Sequence, residues 1–282
     1  MDETILIQLA ELAKPLNKIG VKPVICGGLG VYLCFCESDN AVRGMIRATN
    51  DIDLMITKQM VLENSRRNAI AEIITRELEY VVRAGGEHFR FTKAPNQRLD
   101  ILSPPLEGFW TDGVRVNLVK SKLHGHLTKE ASFIDEDLRT IVLPTDKADD
   151  RIEVQVPSPT NLLILKLCAF DDRDKEDEAE RAQAHAFDIY ITVMLAGEDD
   201  YKEGQRFLAR HGDWQVIQRV MSIVSDKFNS VDRPGWQRVL ETSFFYPDMR
   251  IAQKRDELEK AKNRLLRWFI ILPKNWARIK AN

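Results

Sequence analysis

The 282 residues, 44% hydrophobic and 30% charged, have the proportions of a soluble globular protein, with length enough for one large domain or two ordinary ones. No apolar run approaches the roughly 18 residues of a membrane-spanning helix, and the Met-Asp-Glu start leads into an amphipathic pattern rather than a secretory signal. The net charge of −2 conceals an asymmetry: residues 250–282 hold ten Lys and Arg against three acids, a local +7 that leaves −9 on the rest.

In chain order, Ile5, Leu9, Leu12, Leu16 and Ile19 recur at helical spacing and predict a helix over 3–19, with Pro15 kinking or splitting its last turn. Val24 to Cys26 is a short apolar run ended by Gly27-Gly28, and Leu29 to Phe35 reads as a second helix. Strand, glycine pair and helix in that order put backbone N–H groups at a helix N-terminus, a geometry that receives phosphate well. Residues 37–50 are polar and irregular and lead to a strand over Asp51–Ile56. A long helix over 59–78 follows, its core face carried by Leu62, Ile70, Ile73, Ile74 and Leu78. Alternating runs at 80–83, 87–92 and 98–102 come next, with Gly85-Gly86 as a turn and Pro104-Pro105 as the stop. Further strands fall at 114–116, 141–143 and 152–156. His124-Gly125-His126 lies between these runs without a third ligand at suitable spacing, so it reads as a solvated loop rather than a metal site.

Pro157-Ser158-Pro159 marks the change from strands to helices, with Ser158 as N-cap and Pro159 in the first helical position. Helices are expected over 162–170, 182–195, 199–210, 213–228, 236–245 and 247–272, with 171–180 as a highly charged link. The expected fold class is α+β: a mixed sheet flanked by helices in residues 1–156, then a helical domain in 157–282 that ends in the basic tail. Cys26, Cys34, Cys36 and Cys168 form no CxxC pair and meet no histidine at zinc spacing, which fits reduced thiols in a cytoplasmic protein.

The chemistry concentrates in Arg47-Ala48-Thr49-Asn50-Asp51-Ile52-Asp53-Leu54. On a strand, Asp51 and Asp53 point the same way, about 7 Å apart, while Ile52, Leu54 and Ile56 face a core. Asp100, bracketed by Leu99 and Ile101, joins them if its strand pairs beside theirs. Three carboxylates on one face repel one another, and a divalent cation with hard oxygen ligands removes that penalty. Magnesium or manganese so held clamps the phosphates of an in-line displacement.

Gly27-Gly28, Arg47-x-Thr49-x-Asp51-Ile52-Asp53-Leu54 and Arg98-Leu99-Asp100-Ile101-Leu102 together resemble the nucleotidyltransferase fold of the DNA polymerase beta superfamily. The Arg-x-Thr-x-Asp-Ile-Asp wording is closest to the AbiEii branch, toxins of abortive-infection and toxin–antitoxin systems. Lys166-Leu167 and Phe187-Asp188-Ile189-Tyr190 fit the Lys-Leu helix and the following Asp-bearing helix of that branch, so the resemblance spans roughly residues 20–195. It implies metal binding by Asp51, Asp53 and Asp100, with Asp100 also acting as base or orienting the acceptor hydroxyl. It implies triphosphate contacts from Thr49 and from the Gly27 and Gly28 amides, phosphate neutralisation by Lys166, and orientation of Lys166 or the nucleotide by Asp188. Arg47 joins the nucleotide-binding set or clamps the aspartate pair. Where many members have Gly-Ser, this chain has Gly27-Gly28 and lacks that hydroxyl.

The implied activity is transfer of a nucleoside monophosphate from an NTP, ATP included, to an acceptor hydroxyl, with release of pyrophosphate. RNA such as tRNA is the acceptor suggested by toxin relatives, and an antitoxin protein is the implied partner, with no membrane involved. Alternatives are an inert NTP-binding or partner-binding module, and a small-molecule transferase such as an antibiotic-modifying enzyme. In the tail, Trp268, Phe269 and Trp276 among ten cations suit a nucleic acid, but a helix packing Leu258, Leu265, Phe269 and Leu272 inward under a solvated basic face is the slightly stronger reading.

Overall fold

The computed structural model describes residues 3–38, 41–47, 49–57, 60, 63–83, 89–93, 97–105, 110–111, 115–117, 124–144, 151–175 and 178–269. The chain divides into two compact units, one formed by Met1–Cys34 with Arg47–Ser158 and the other by Phe35–Ile46 with Pro159–Asn282. Together they give the α+β architecture: a mixed sheet with helices, followed by a helical region.

In the first unit, helix α1 (Glu3–Lys18) precedes strand β1 (Val24–Ile25), helix α2 (Gly27–Cys34) and strand β2 (Asp51–Met55). Helix α3 (Asn64–Glu72) continues into a π-helical turn at Ile73–Glu77. Then come β3 (Val81–Val82), β4 (Arg90–Lys93), β5 (Gln97–Ser103), β6 (Trp110–Thr111), β7 (Arg115–Asn117), β8 (His124–Leu127), β9 (Arg139–Leu143) and β10 (Ile152–Val156). The sheet runs β6-β7-β8-β5-β2-β1-β10-β9, with β4 also paired to β5 and β3 to β4. Parallel pairs (β2 with β5, β5 with β8, β1 with β10) occur together with antiparallel ones, so the sheet is mixed.

Alternation orients the strands. Ile52 and Leu54 of β2, and Leu99 and Ile101 of β5, are buried in one core with Ile5, Leu9, Leu12 and Leu16 of α1. Pro15 does not split α1, which runs on to Lys18. Its last turn is held from outside the backbone ladder: Asn17 Nδ2 donates to Val21 O and Glu153 O, both at 3.0 Å, and Asn17 Oδ1 accepts from Glu153 N at 2.8 Å. One side chain thus ties α1 to β10.

His124-Gly125-His126 is not a loop. It forms β8, with Leu102 opposite His126 on β5 and Val116 opposite Gly125 on β7. A Cβ on Gly125 would lie 2.6 Å from the Ser103 Cβ, so glycine admits the close passage of β5. The His126 ring packs 4.9 Å from Phe89, a sheet-face contact rather than a solvated one. Gly85-Gly86 lies outside the described residues.

The second unit contains helices α4 (Pro159–Lys175), α5 (Ala179–Leu195), α6 (Glu198–His211), α7 (Gln215–Lys227), α8 (Pro234–Leu240) and α9 (Ile251–Phe269). Pro159 opens α4 as expected, with Ser158 buried just before it. The expected charged link is largely helix, because its acids have partners. Asp171, 4% exposed, meets Lys175 at 2.5 Å, Lys227 at 3.1 Å and Arg219 at 3.2 Å, while Asp174 meets Lys227 at 2.8 Å. Burial pushes the Asp171 carboxyl up, but hydrogen bonds from Lys175, Lys227 and Arg219 outweigh it and hold the group below its ordinary value. The last helix turns the tail's composition inward: Leu258, Leu265, Trp268 and Phe269 are all buried. Trp268 Nε1 donates to Thr160 Oγ1 at 3.2 Å. Leu272 and Trp276 lie outside the described residues.

Asp171→Asn should therefore destabilise the chain by about 2 kcal/mol at pH 6, between the values for exposed and fully buried pairs, as read by urea unfolding. A carboxyl whose folded pKa is depressed contributes stability above its unfolded value, and that contribution is lost as pH falls through the folded one. The gap between variant and parent should narrow below the ordinary value of 3.8.

Candidate active site

The parallel register of β2 with β5 sets Asp51 opposite Arg98 and Asp53 opposite Asp100. Neighbouring strands lie about 4.8 Å apart, so the Asp53 and Asp100 side chains start as immediate neighbours with Asp51 one step further along the same face. Asp51, Asp53 and Asp100 are all half-exposed on that face, whereas the residues between them are buried. The register thus places all three carboxylates on one sheet face.

Gly27 completes this corner. It has φ of +65°, the left-handed region that a residue with a side chain adopts at a cost, and a Cβ there would overlap the Asp53 carboxylate. The backbone locks the approach, since Cys26 N donates to Asp53 O at 2.8 Å. Gly28 has a different neighbour: a Cβ there would come within 2.9 Å of the Arg47 Nη2, so the guanidinium lies over the start of α2. Thr49 Oγ1 accepts from Asp51 N at 3.4 Å, placing its hydroxyl at the head of β2.

Electrostatics on this face are shared with arginines. Arg98 Nη1 lies 3.7 Å from Asp51 Oδ1 and Arg90 Nε lies 3.8 Å from Asp100 Oδ2. Burial pushes the Asp100 carboxyl above its ordinary value; Arg90 opposes this, Asp51 adds to it, and Arg83 and Arg98 oppose it. Among the described residues no three His, Cys, Asp or Glu side chains are drawn together closely enough to hold a metal ion. The donor set still fits a divalent cation in kind: hard carboxylate oxygens on one face, two of them opposite each other on adjacent strands. Arg83, Arg90 and Arg98 carried no role in the sequence reading. Period-two spacing back from Asp100 along its own strand, and the alternation of Arg90 and Thr92, would have put Arg98 and Arg90 on this face.

Lys166 and Asp188 meet within the helical unit. Lys166 Nζ is 2.6 Å from Asp188 Oδ2, with both side chains buried between α4 and α5. Thr192 Oγ1 caps the same stretch by donating to Asp188 O at 2.7 Å. Leu162, Leu163 and Leu167 beside it are fully buried, so the helix holds Lys166 in a core rather than in solvent.

A mixed sheet with two aspartates at the head of one strand, a third on its parallel neighbour and a glycine turn beside them is an arrangement nucleotidyltransferases use. The family model described as nucleotidyl transferase AbiEii toxin, type IV toxin–antitoxin system, matches residues 40–264, and the chain belongs to that family. The match reaches well beyond residue 195 into the helical unit and begins after Gly27-Gly28. No curated protein matches the chain significantly. Among the described residues no helix is long and apolar enough to cross a membrane.

Two variants probe the local geometry. Gly27→Ala should destabilise by more than about 1 kcal/mol through its left-handed backbone and displace the Asp53 carboxylate, seen as a lowered melting temperature. Lys166→Met leaves Asp188 buried without its counter-ion and should cost about 3 kcal/mol in urea unfolding, much of which Lys166→Met with Asp188→Leu recovers.

Proposed function

We propose that the chain is a divalent-metal-dependent nucleotidyltransferase that moves a nucleoside monophosphate from an NTP to an acceptor hydroxyl and releases pyrophosphate. The observation that carries this reading is the in-register pairing of β2 with β5, which aligns Asp51, Asp53 and Asp100 on one face beside the Gly27 turn. Asp51, Asp53 and Asp100 would hold Mg2+ or Mn2+, which when bound supplies charge neutralisation at the phosphates and a lowered pKa at the acceptor hydroxyl. Asp100, raised by burial, is the carboxylate suited to take or orient the acceptor proton. The Gly27 and Gly28 amides, the Thr49 hydroxyl and Arg47 bind the triphosphate, and Gly27 and Gly28 leave room for the groups that crowd them. Lys166, paired with Asp188, takes the phosphate-directed role that the family resemblance implies.

RNA is the acceptor class we assign, with tRNA the specific candidate, on the resemblance to toxin relatives alone, and a cognate antitoxin is the partner, which type IV family membership supports. The cytoplasm is the compartment these substrates imply. The test is incubation of the protein with each labelled NTP, magnesium and total cellular RNA. Label should enter an RNA species, disappear with a chelator, and fall more than about a hundred-fold in Asp51→Ala and in Asp53→Ala while circular dichroism stays unchanged. Incorporation that survives both substitutions would refute the mechanism.

A further inference from the structure

The two strand registers that align the acids also align arginines among them. Across β4, β5 and β2, one row on this face reads Arg90, Asp100, Asp53 and the next reads Thr92, Arg98, Asp51. Each of Asp51 and Asp100 thus has a guanidinium directly across the strand, at 3.7 and 3.8 Å. Arg83 extends the first row, its backbone N–H donating to Arg90 O at 2.9 Å, and its charge reaches Asp100. The three arginines match the three carboxylates in charge, and an arginine across the strand from Asp100 and another across from Asp51 lets like-charged acids share a face.

We propose that Arg90 and Arg98 are stand-in counter-ions of the metal site: they neutralise Asp100 and Asp51 when no cation is bound and are released by the cation to bind the triphosphate of the incoming nucleotide. This rests on the nucleotidyltransferase reading above and adds a binding subsite and an order of events to it. Both ion pairs are longer than a hydrogen bond, and the arginine side chains are 45% and 55% exposed, so solvent screens them and exchange is easy. A divalent cation is the stronger competitor for carboxylate oxygens. Once it takes them, two guanidinium forks are left without their carboxylates, Arg90 still resting over the Phe89 ring at 5.3 Å, and planar bidentate donors suit phosphate oxygens.

The experiment measures Mn2+ binding to the full chain by calorimetry or by the spin-resonance signal of free Mn2+, and then binding of non-hydrolysable analogues of the four NTPs at saturating Mn2+. Removing a competitor tightens the metal, so Arg90→Ala and Arg98→Ala should each strengthen Mn2+ binding about two- to five-fold, the range exposed ion pairs allow. The double variant should weaken analogue binding at least about ten-fold, as expected for loss of two charge-assisted bidentate contacts. Arg90→Lys with Arg98→Lys keeps the charge and should bind Mn2+ as the parent does, yet recover only part of the analogue affinity. Unchanged or weakened Mn2+ binding in the alanine variants overturns the inference. Loss of affinity for single-stranded RNA, with analogue binding intact, overturns the triphosphate assignment in favour of the acceptor. Asp53→Ala separates the two levels. If it binds Mn2+ as the parent does, the catalytic reading itself is wrong; if it does not, a failure of the arginine variants counts against this inference alone.

Discussion

Parallel pairing of β2 with β5 forces three like charges onto one sheet face, and the rest of the first unit is arranged around that constraint. Carboxylates stacked on adjacent strands repel, and burial would raise the cost to several kcal/mol each. The chain leaves them half-exposed, interleaves them with Arg90 and Arg98, and backs the row with Leu99, Ile101, Ile52 and Leu54 in the core. The apolar side of each strand stabilises what the polar side strains. Because a one-residue slip would exchange the two faces, the buried leucines and isoleucines fix the register that aligns the acids.

The helical unit solves the opposite problem, charge that is buried. Helix α4 is apolar on nearly every side, with Leu162, Leu163, Ile164, Leu167 and Phe170 all inaccessible, so any ionisable group on it must bring a partner. Lys166 finds one on α5, and Asp171 finds three, from its own last turn and from α7. A hydrophobic substitute for a buried pair is often as stable, so the Lys166–Asp188 pair is weak evidence for stability. Asp171 differs in that its cations lie nearer the surface, where they staple helix ends.

Much of this was legible from residue patterns because the relevant signals are local. Alternation around Asp51, Asp53 and Asp100 reported which way each carboxylate points, and the strong apolar period reported α1, α5 and α7. What escaped depends on tertiary neighbours. His124-Gly125-His126 has the composition of a turn, and only the passage of Ser103 beside Gly125 makes it a strand. The acids at 171–174 resemble a solvated linker until Arg219 and Lys227, some fifty residues on, come to neutralise them. Pro15 predicted a break, yet α1 runs on to Lys18 and Asn17 bonds to Glu153. Arg90 and Arg98 needed two registers at once before they could be seen among the acids.

The tail shows the same limit from the other direction, since its composition pointed to nucleic acid through two features that separate in three dimensions. Trp268 and Phe269 are inside, where Trp268 packs 4.6 Å from Tyr201 and bonds Thr160, so their rings are not stacking platforms. The cations of α9 are largely engaged: Lys260 with Glu257, Lys262 with Glu259, Arg267 with Glu198, Arg255 with Asp232, and Arg264 on the Val193 and Met194 carbonyls. Most of these pairs are exposed, and exposed pairs hold weakly against a polyanion. A phosphodiester backbone could therefore exchange for them, but only as a diffuse, salt-sensitive attraction that carries no base recognition.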